Sequence, residues 1–366
     1  MHADTFEHVI SAEGPFASVY FEDTHDTEDA AKQLELTWRG LRNQLVDAGA
    51  PDAVLDSIEN EIRGSAPPVG RSGRGLVANA ERILVDEHLL RPPPVTEARF
   101  SDLPYLLPVI EHGAQGPAYL VVAVDHEGAD ITIEDGRGQR THTETVEGGE
   151  YPVHKAAGAE TAGYGDPQPV AEEAVRRNIA TVAHRVSTLT EEYRVEPIFL
   201  VGEVRSRTDL FAALTKKDQA SAVQLDVGSR ARGSHPDGID QAVAEELALR
   251  RLAVIDDVAT RFRAETGRES GLAAEGLDAV VAALRAGSVD TLLLGDLADR
   301  TVLMGDQPTW IATTPDELSE LGSTAAATRR ADEALPSAAL ATGSALVRID
   351  ERITPADGCA ALLRFT

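Results

Sequence analysis

The chain has 366 residues, enough for two or three domains with real cores, and it carries 61 acidic against 34 basic side chains, a formal net charge of −27. That balance excludes a protein that coats nucleic acid nonspecifically, because its summed field repels phosphate, although local basic loops can still touch RNA. One cysteine, Cys359, excludes an intramolecular disulfide, no window approaches eighteen apolar residues, and an aromatic content of 4% disfavours single-strand binding by stacking.

The N-terminus, MHADTFEHVI, has no basic and apolar leader, so a cytoplasmic location is expected. Residues 16–21 (FASVYF) read as a strand. Residues 26–48 and 51–64 read as two helices separated by Gly49-Ala-Pro51, with Pro51 suited to a first turn. Gly75–Ala78 and Ile83–Val85 make a hairpin-like pair, and Pro92-Pro-Pro94 breaks the chain. Residues 103–111 read as a connector helix or extended segment, closing a first domain at 1–115.

A second domain, 118–228, opens with strand 119–125, turns at His126-Glu-Gly128 and returns as 129–134, with strand 140–146 next. A glycine-rich loop at 147–169 feeds an amphipathic helix at 170–193; strand 197–202, helix 206–216 and strand 222–227 complete a mixed sheet. Residues 228–240 read as a polar linker. The third domain, 241–366, has a long helix at 242–266 and strands at 301–304 and near 344–350. In it Leu277, Val280, Val281 and Leu284 recur at helical spacing, Gly287 stops the helix, and Val289–Leu294 reads as a buried strand. Residues 322–337, rich in Ala, Thr and charge, are expected to be mobile. The fold class is α/β, with mixed sheets in the middle and C-terminal domains.

Most catalytic signatures are missing. Gly158–Gly163 is followed by Tyr164-Gly165 and offers no lysine to a phosphate, so it is not a nucleotide loop. There is no H-E-x-x-H and no Cys/His set at zinc spacing, so neither metal nor cofactor is expected. Gly70-Arg-Ser-Gly73 fails G-x-S-x-G, because Arg stands at 74. Asp125-His126 reads as a structural turn rather than half of a triad, and Cys359 as a small core hydrophobe rather than a nucleophile.

Three loops stand above this background. No acidic residue lies between Arg63 and Ala80, so Arg63, Arg71 and Arg74 form a local basic stretch; it is either an RNA contact through guanidinium forks or a solvated loop. In the long loop His154, Lys155 and Tyr164 offer contacts to nucleic acid, and Gly158, Gly163 and Gly165 allow close backbone approach; the other reading is a disordered excursion. Arg230 and Arg232, in Ser229–His235, suit an RNA or partner contact, and a flexible linker explains them equally well.

Residues 262–296, FRAETGRESGLAAEGLDAVVAALRAGSVDTLLLGD, closely resemble the start of the C-terminal domain in the Pelota and archaeal/eukaryotic class-1 release factor superfamily. The strings Ala12–Tyr20, Ala123–Asp130, Tyr151–Lys155, Gly163–Asp166 and Gly202–Leu210 are similar to its bacterial branch, the Balon-like ribosome hibernation factors of dormancy and stress. The resemblance implies a three-domain release-factor/Pelota-like architecture. It implies a protein that occupies the vacant aminoacyl-tRNA site (A site) of idle 70S ribosomes, with elongation factor Tu as partner and without membrane or DNA partners. Under it, Arg63, Arg71 and Arg74 sit at the decoding centre and contact ribosomal RNA. His154, Lys155, Gly158, Gly163, Tyr164, Gly165 and Gln168 reach the peptidyl-transferase centre.

Two departures bear on activity. Release factors carry Gly-Gly-Gln in the middle-domain loop to position water at the peptidyl-tRNA ester. Here residues 154–168 contain no such run, and Gln168 lies between two prolines. Release factors also read stop codons with an Asn-Ile-Lys-Ser motif, whereas the corresponding turn, Val46–Pro51, is short and has no basic residue. The expectation is a binding protein, not an enzyme. The alternative is a peptidyl-tRNA hydrolase that rescues stalled ribosomes through a divergent loop.

Overall fold

A computed structural model describes residues 6–25, 29–64, 72–89, 91–113, 118–135, 140–147, 167–227, 236–268, 270–323 and 326–365. They form two compact units, Met1–Ala114 with Leu252–Thr366, and Gln115–Arg251.

The first unit begins with α1 (Glu7–Ile10), β1 (Phe16–Glu22), α2 (Ala30–Asp47), α3 (Asp52–Gly64), β2 (Gly73–Ala78), β3 (Ile83–Leu89), β4 (Glu97–Ser101) and α4 (Leu107–His112). The strands form an antiparallel sheet in the order β3-β2-β1-β4. β1 is interior, which explains its unbroken run of buried residues. Its Ala17, Val19 and Phe21 pack with Trp38, Leu41 and Leu45 of α2 and Leu55 and Ile58 of α3. Tyr20 points to the other side, where its hydroxyl donates to the Tyr105 carbonyl. Gly75 is required there, since an added Cβ would stand 2.6 Å from the Tyr20 ring.

The second unit holds β5 (Tyr119–Val124), β6 (Gly128–Glu134), β7 (Arg140–Glu147), α5 (Pro167–Tyr193), β8 (Ile198–Gly202), α6 (Val204–Ala213), α7 (Lys216–Ser221), β9 (Ala222–Gln224) and the start of α8 (Pro236–Arg268). Its sheet has the order β7-β6-β5-β8-β9, with β5, β8 and β9 parallel. Ile179, Val182, Ala183, Val186 and Leu189 of α5, at helical spacing, cover one face together with Leu210 and Leu214. On the other face Tyr119 and Phe199 meet Val243, Ile239 and Leu247 of α8. The unit is therefore a three-layer α/β/α sandwich.

The remainder of the first unit follows the end of α8: β10 (Ala273–Glu275), α9 (Leu277–Arg285), β11 (Val289–Leu294), β12 (Thr301–Met304), β13 (Ile311–Ala312), α10 (Pro315–Glu320), β14 (Ala327–Arg330), α11 (Ala331–Ala341), β15 (Ala345–Arg348) and β16 (Cys359–Leu363). β11 pairs with β15 in parallel and with β16 antiparallel, in the sheet β10-β16-β11-β15. A small antiparallel sheet, β13-β12-β14, stands beside it in the chain. One core cluster runs through both stretches of this unit, from Phe6, Tyr20, Val77, Leu106 and Val109 to Val280, Leu292, Leu335, Ala338 and Leu346.

Arg99 of β4 closes the contact between those stretches. Its Nη1 donates to Asp332 at 3.0 Å and to Glu333 at 3.1 Å, its Nε to Glu97 at 2.6 Å, and its guanidinium carbon lies 3.4 Å from the Tyr105 ring centroid. Burial opposes its charge, but Asp332 and the hydrogen bond to Glu97 more than offset this, so the net shift is upward. Ser101 adds a 2.7 Å bond to Glu333, and Arg348 pairs with Glu111 at 2.9 Å.

Several sequence expectations need correction. The mobile segment at 322–337 is instead β14 and a buried α11. Its Ala331, Ala334, Ala338 and Ala339 are small because the helix sits deep in the core, and its charges are neutralised by Arg99 and Arg330. The expected helix 206–216 is two helices, with Thr215 capping the second through its side chain. The linker at 228–240 already turns helical at Pro236. The connector at 103–111 is helical only from Leu107, β4 had no expectation attached, and β16 was not anticipated either.

Both tryptophans, Trp38 and Trp310, lie in the first unit, so their fluorescence reports its unfolding. Arg99→Ala should lower that unit's stability by about 3 kcal/mol, the usual cost of leaving buried carboxylates unpaired. On an Asp332→Ala, Glu333→Ala background the same change should cost far less; strictly additive losses would show that no such clamp operates. Cys359 is buried, and burial with Asp357 nearby pushes its thiol up to about 12. A disulfide reagent at pH 8 should therefore modify it only after unfolding in urea, and rapid stoichiometric modification of the native protein would contradict this.

Candidate functional site at the carboxyl edge of the middle sheet

Chain direction locates the site. β6 runs antiparallel to β5 and β7 antiparallel to β6, so β7 points the same way as β5, β8 and β9. Their carboxyl ends share one edge. Residue 147 ends β7 at that edge, and α5 carries the chain from that side back to the start of β8. Residue 147 and the start of α5 therefore both lie on the carboxyl side of the sheet, the side on which open α/β sheets hold ligands.

Three contacts build the edge. Asp125 Oδ1 accepts the backbone N–H groups of Glu127 at 2.7 Å and Gly128 at 2.9 Å, which fixes the β5–β6 turn. Buried Asn178 donates from Nδ2 to the His126 carbonyl at 3.2 Å and pins α5 to that turn. Eleven residues precede Asn178 in the helix, a rise of about 16 Å. Gly202, with φ 125°, ends β8; an added Cβ would lie 2.2 Å from the Val124 carbonyl oxygen, so the chain can turn into α6 there only without a side chain.

Arg207 is the buried charge of this edge. Its side chain is only 4% exposed, and Nη2 lies 2.5 Å from Asp226 Oδ1, just past the end of β9. Its Nε and Nη1 are buried and have no hydrogen-bond partner among the described residues. Sequence reasoning included the Gly202–Leu210 string but did not single out Arg207. The available signal was a glycine ending an apolar strand, followed by Arg205 and Arg207 in the first turns of a helix.

The residues singled out from sequence are not gathered in one place. Arg63 lies in the last turn of α3, 67% exposed, with Nη2 2.6 Å from Glu59. Arg74 is corrected: it is 1% exposed, fixed by Asp86 at 2.8 and 2.9 Å and by the Glu61 carbonyl at 3.2 Å. It sits on an interior strand, where a guanidinium persists only if neutralised from within, so its donors are not offered to phosphate. Gln168 is the second residue of α5. His154, Lys155, Gly158, Gly163, Tyr164, Gly165, Arg71, Arg230 and Arg232 lie outside the described residues. Asp125-His126 is a structural turn, as expected. Among the described residues no group of His, Cys, Asp and Glu could hold a metal ion, and no helix is long and apolar enough to cross a membrane.

Residues 118–268 match the model of bacterial archaeo-eukaryotic release factor family 2. Over 365 residues the chain is 46% identical to the uncharacterized proteins Rv2629 and MT2704 of Mycobacterium tuberculosis strains H37Rv and CDC 1551, covering 100% of this chain and 97% of each relative. Among solved structures it is similar to the model of ribosome-bound archaeal Pelota and ABCE1 (16% identity, 99% of this chain and 94% of that chain, TM-score 0.42). It is also similar to Archaeoglobus fulgidus Pelota (14% identity, 100% and 92%, TM-score 0.36). The family follows from sequence, by near-complete coverage of its mycobacterial relatives and by the match across the middle unit: the chain belongs to bacterial archaeo-eukaryotic release factor family 2.

Proposed function

We propose that the protein is a ribosome hibernation factor. It occupies the vacant aminoacyl-tRNA site of idle ribosomes, with elongation factor Tu as partner, and leaves peptidyl-tRNA intact. One observation carries the second half of this reading. Gln168, the sole glutamine of the 147–169 stretch, is in the first turn of α5 rather than after paired glycines in a loop. Water positioning at an ester needs a side chain and close-approaching backbone held together at the reacting carbon. A glutamine committed to a helix start between two prolines does not supply that arrangement.

The first half rests on family membership, with residue 147 and the start of α5 on the carboxyl side of the middle sheet. A body that enters a tRNA-shaped site needs shape and a few phosphate contacts rather than bulk positive charge, which suits a chain of net charge −27. Exposed Arg63 and, in sequence, Arg71 are the contacts assigned to the decoding centre. Arg74, held by Asp86 and the Glu61 carbonyl, supports the sheet instead.

A rival reading has one specific observation in its favour. The stretch after β7 opens with Gly148-Gly149-Glu150, paired glycines followed by a carboxylate. A carboxylate there would make the protein a peptidyl-tRNA hydrolase by general-base assistance to water.

Purified protein should pellet with vacant 70S ribosomes, with or without elongation factor Tu·GDP; absence from the pellet in both cases overturns the hibernation reading. On ribosomes carrying peptidyl-tRNA it should release no peptide. Release that is lost on changing Glu150, His154 or Gln168 would establish the hydrolase instead. Arg63→Glu with Arg71→Glu should weaken ribosome association and flatten its salt dependence by up to about two counterions' worth of slope. An unchanged affinity removes those arginines from the contact.

A further inference from the structure

We propose that Tyr105, Arg348 and Arg99 form a binding site for a small oxyanion at the carboxyl edge of the β11–β15 pair. The site is a property of the first unit alone and is independent of ribosome occupancy.

Strand direction locates it. β11 and β15 run parallel, so Leu294 and Arg348 end side by side. The turn after β11, Gly295–Asp299, lines a cleft of about 300 Å³ together with Arg348, Arg99, Tyr105 and Leu107. Crevices outside the carboxyl ends of parallel strands are where open α/β sheets hold ligands. The volume is at the lower end for small-molecule sites, which suits a phosphate or a short carboxylate. Within the turn Ala298 has φ 47°, a left-handed conformation that alanine adopts only at a cost. Asp296 Oδ1 holds it there by accepting the Ala298 N–H at 2.9 Å, and Arg330 Nη2 by donating to the Ala298 carbonyl at 3.3 Å. Strain of this kind collects at turns that hold ligands.

Three donors are left over on this cleft. Arg348 donates from Nε to Glu111 at 2.9 Å and from Nη1 to the carbonyls of Leu294 and Gly295, so Nη2 is unused. Arg99 spends Nε on Glu97 and Nη1 on Asp332 and Glu333, which leaves its Nη2. Tyr105 bonds through its carbonyl and its N–H, and its hydroxyl has no partner among the described residues. None of the three atoms is sealed inside the protein. Their positions are fixed: the Arg99 guanidinium carbon lies 3.4 Å from the Tyr105 ring centroid, and Tyr20 meets that ring edge-on at 5.6 Å. Burial first, and Glu97 second, push the Tyr105 phenol up to about 12, so at neutral pH it keeps its proton and donates. Arg99 and Arg348 both act on that phenol electrostatically, which puts the two guanidinium charges beside it.

Carboxylates border the same cleft. Asp332 pairs with Arg99 and Arg330, Asp299 pairs with Arg330 at 3.2 Å, and Asp296 adds a third. They cancel the positive charge, so no long-range field draws an anion in. Recognition rests on charge-assisted hydrogen bonds from fixed donors, and affinity falls in the millimolar range. A phosphate group and a carboxylate group offer these donors the same oxygens.

Titration calorimetry with sodium phosphate, and separately with sodium succinate, to about 20 mM each at ionic strength matched with chloride, tests this. Hydrogen exchange at residues 295–299 supplies the local readout. The wild-type protein should bind at least one probe and protect that turn. Tyr105→Phe removes a hydroxyl that the fold does not use. It should leave melting, followed by tryptophan fluorescence, unchanged and weaken binding by about 10-fold. Arg348→Lys keeps the charge, loses Nη2 and should weaken binding by a similar factor. Asp299→Asn changes a side chain that is 97% exposed and removes a competing carboxylate. It should tighten binding by about threefold, a gain that misfolding cannot mimic. Tighter binding of phosphate identifies a phosphoryl ligand and tighter binding of succinate a carboxylate; both uphold the site. An unprotected turn with both probes, wild-type affinity in Tyr105→Phe or Arg348→Lys, or weaker binding in Asp299→Asn each overturn it.

Discussion

The parallel pairing of β5 with β8 is the constraint from which the middle unit follows. Two parallel strands cannot be joined by a tight turn; the chain must leave one end of the sheet and return to the other. The antiparallel excursion through β6 and β7 ends at the carboxyl edge, and α5 provides the return. The apolar face of α5 buries itself on the sheet through Ile179, Val182, Val186 and Leu189, and Asn178 reaches the edge. The β5–β6 turn, the Gly202 turn and Asp226 are thus brought to one edge by strand direction. No attraction among them is needed.

The same unit shows how an acidic protein holds its arginines. Arg207 and Arg185 each meet a carboxylate, but with different completeness. Arg185 is held by both oxygens of Glu144, whose carboxyl is drawn below the usual range first by that bond and further by His142. Arg207 has one exposed partner and two idle nitrogens. A guanidinium satisfied in the way of Arg185 is structural. The first unit follows the satisfied pattern. Arg74 on Asp86, and Arg99 among Glu97, Asp332 and Glu333, hold strands and helices distant in sequence to one another.

Much of the fold was legible because periodicity is a local property. The helix carrying Val280, Val281 and Leu284, the strand Val289–Leu294 and the hairpin of β5 and β6 follow directly from apolar spacing and turn residues. Composition misled at 322–337. Small and charged residues there suit exposed chain as readily as a close-packed helix, and the difference lies in Arg99, more than two hundred residues away. Arg74 misled in the same manner. An arginine between glycines in an acid-poor stretch looks solvated until Asp86 and α3 close over it.

The amino-acid sequence by itself determined the α/β class, most element positions, the family and the lack of a Gly-Gly-Gln run, because each is written in spacing or in a string. Tertiary structure alone decided which arginines are spent on the fold and which keep free donors. It also decided that the first and last stretches of the chain share one core. The physical reason is that burial and pairing depend on partners brought near by strand direction and packing, and such partners leave no mark in the residues beside them.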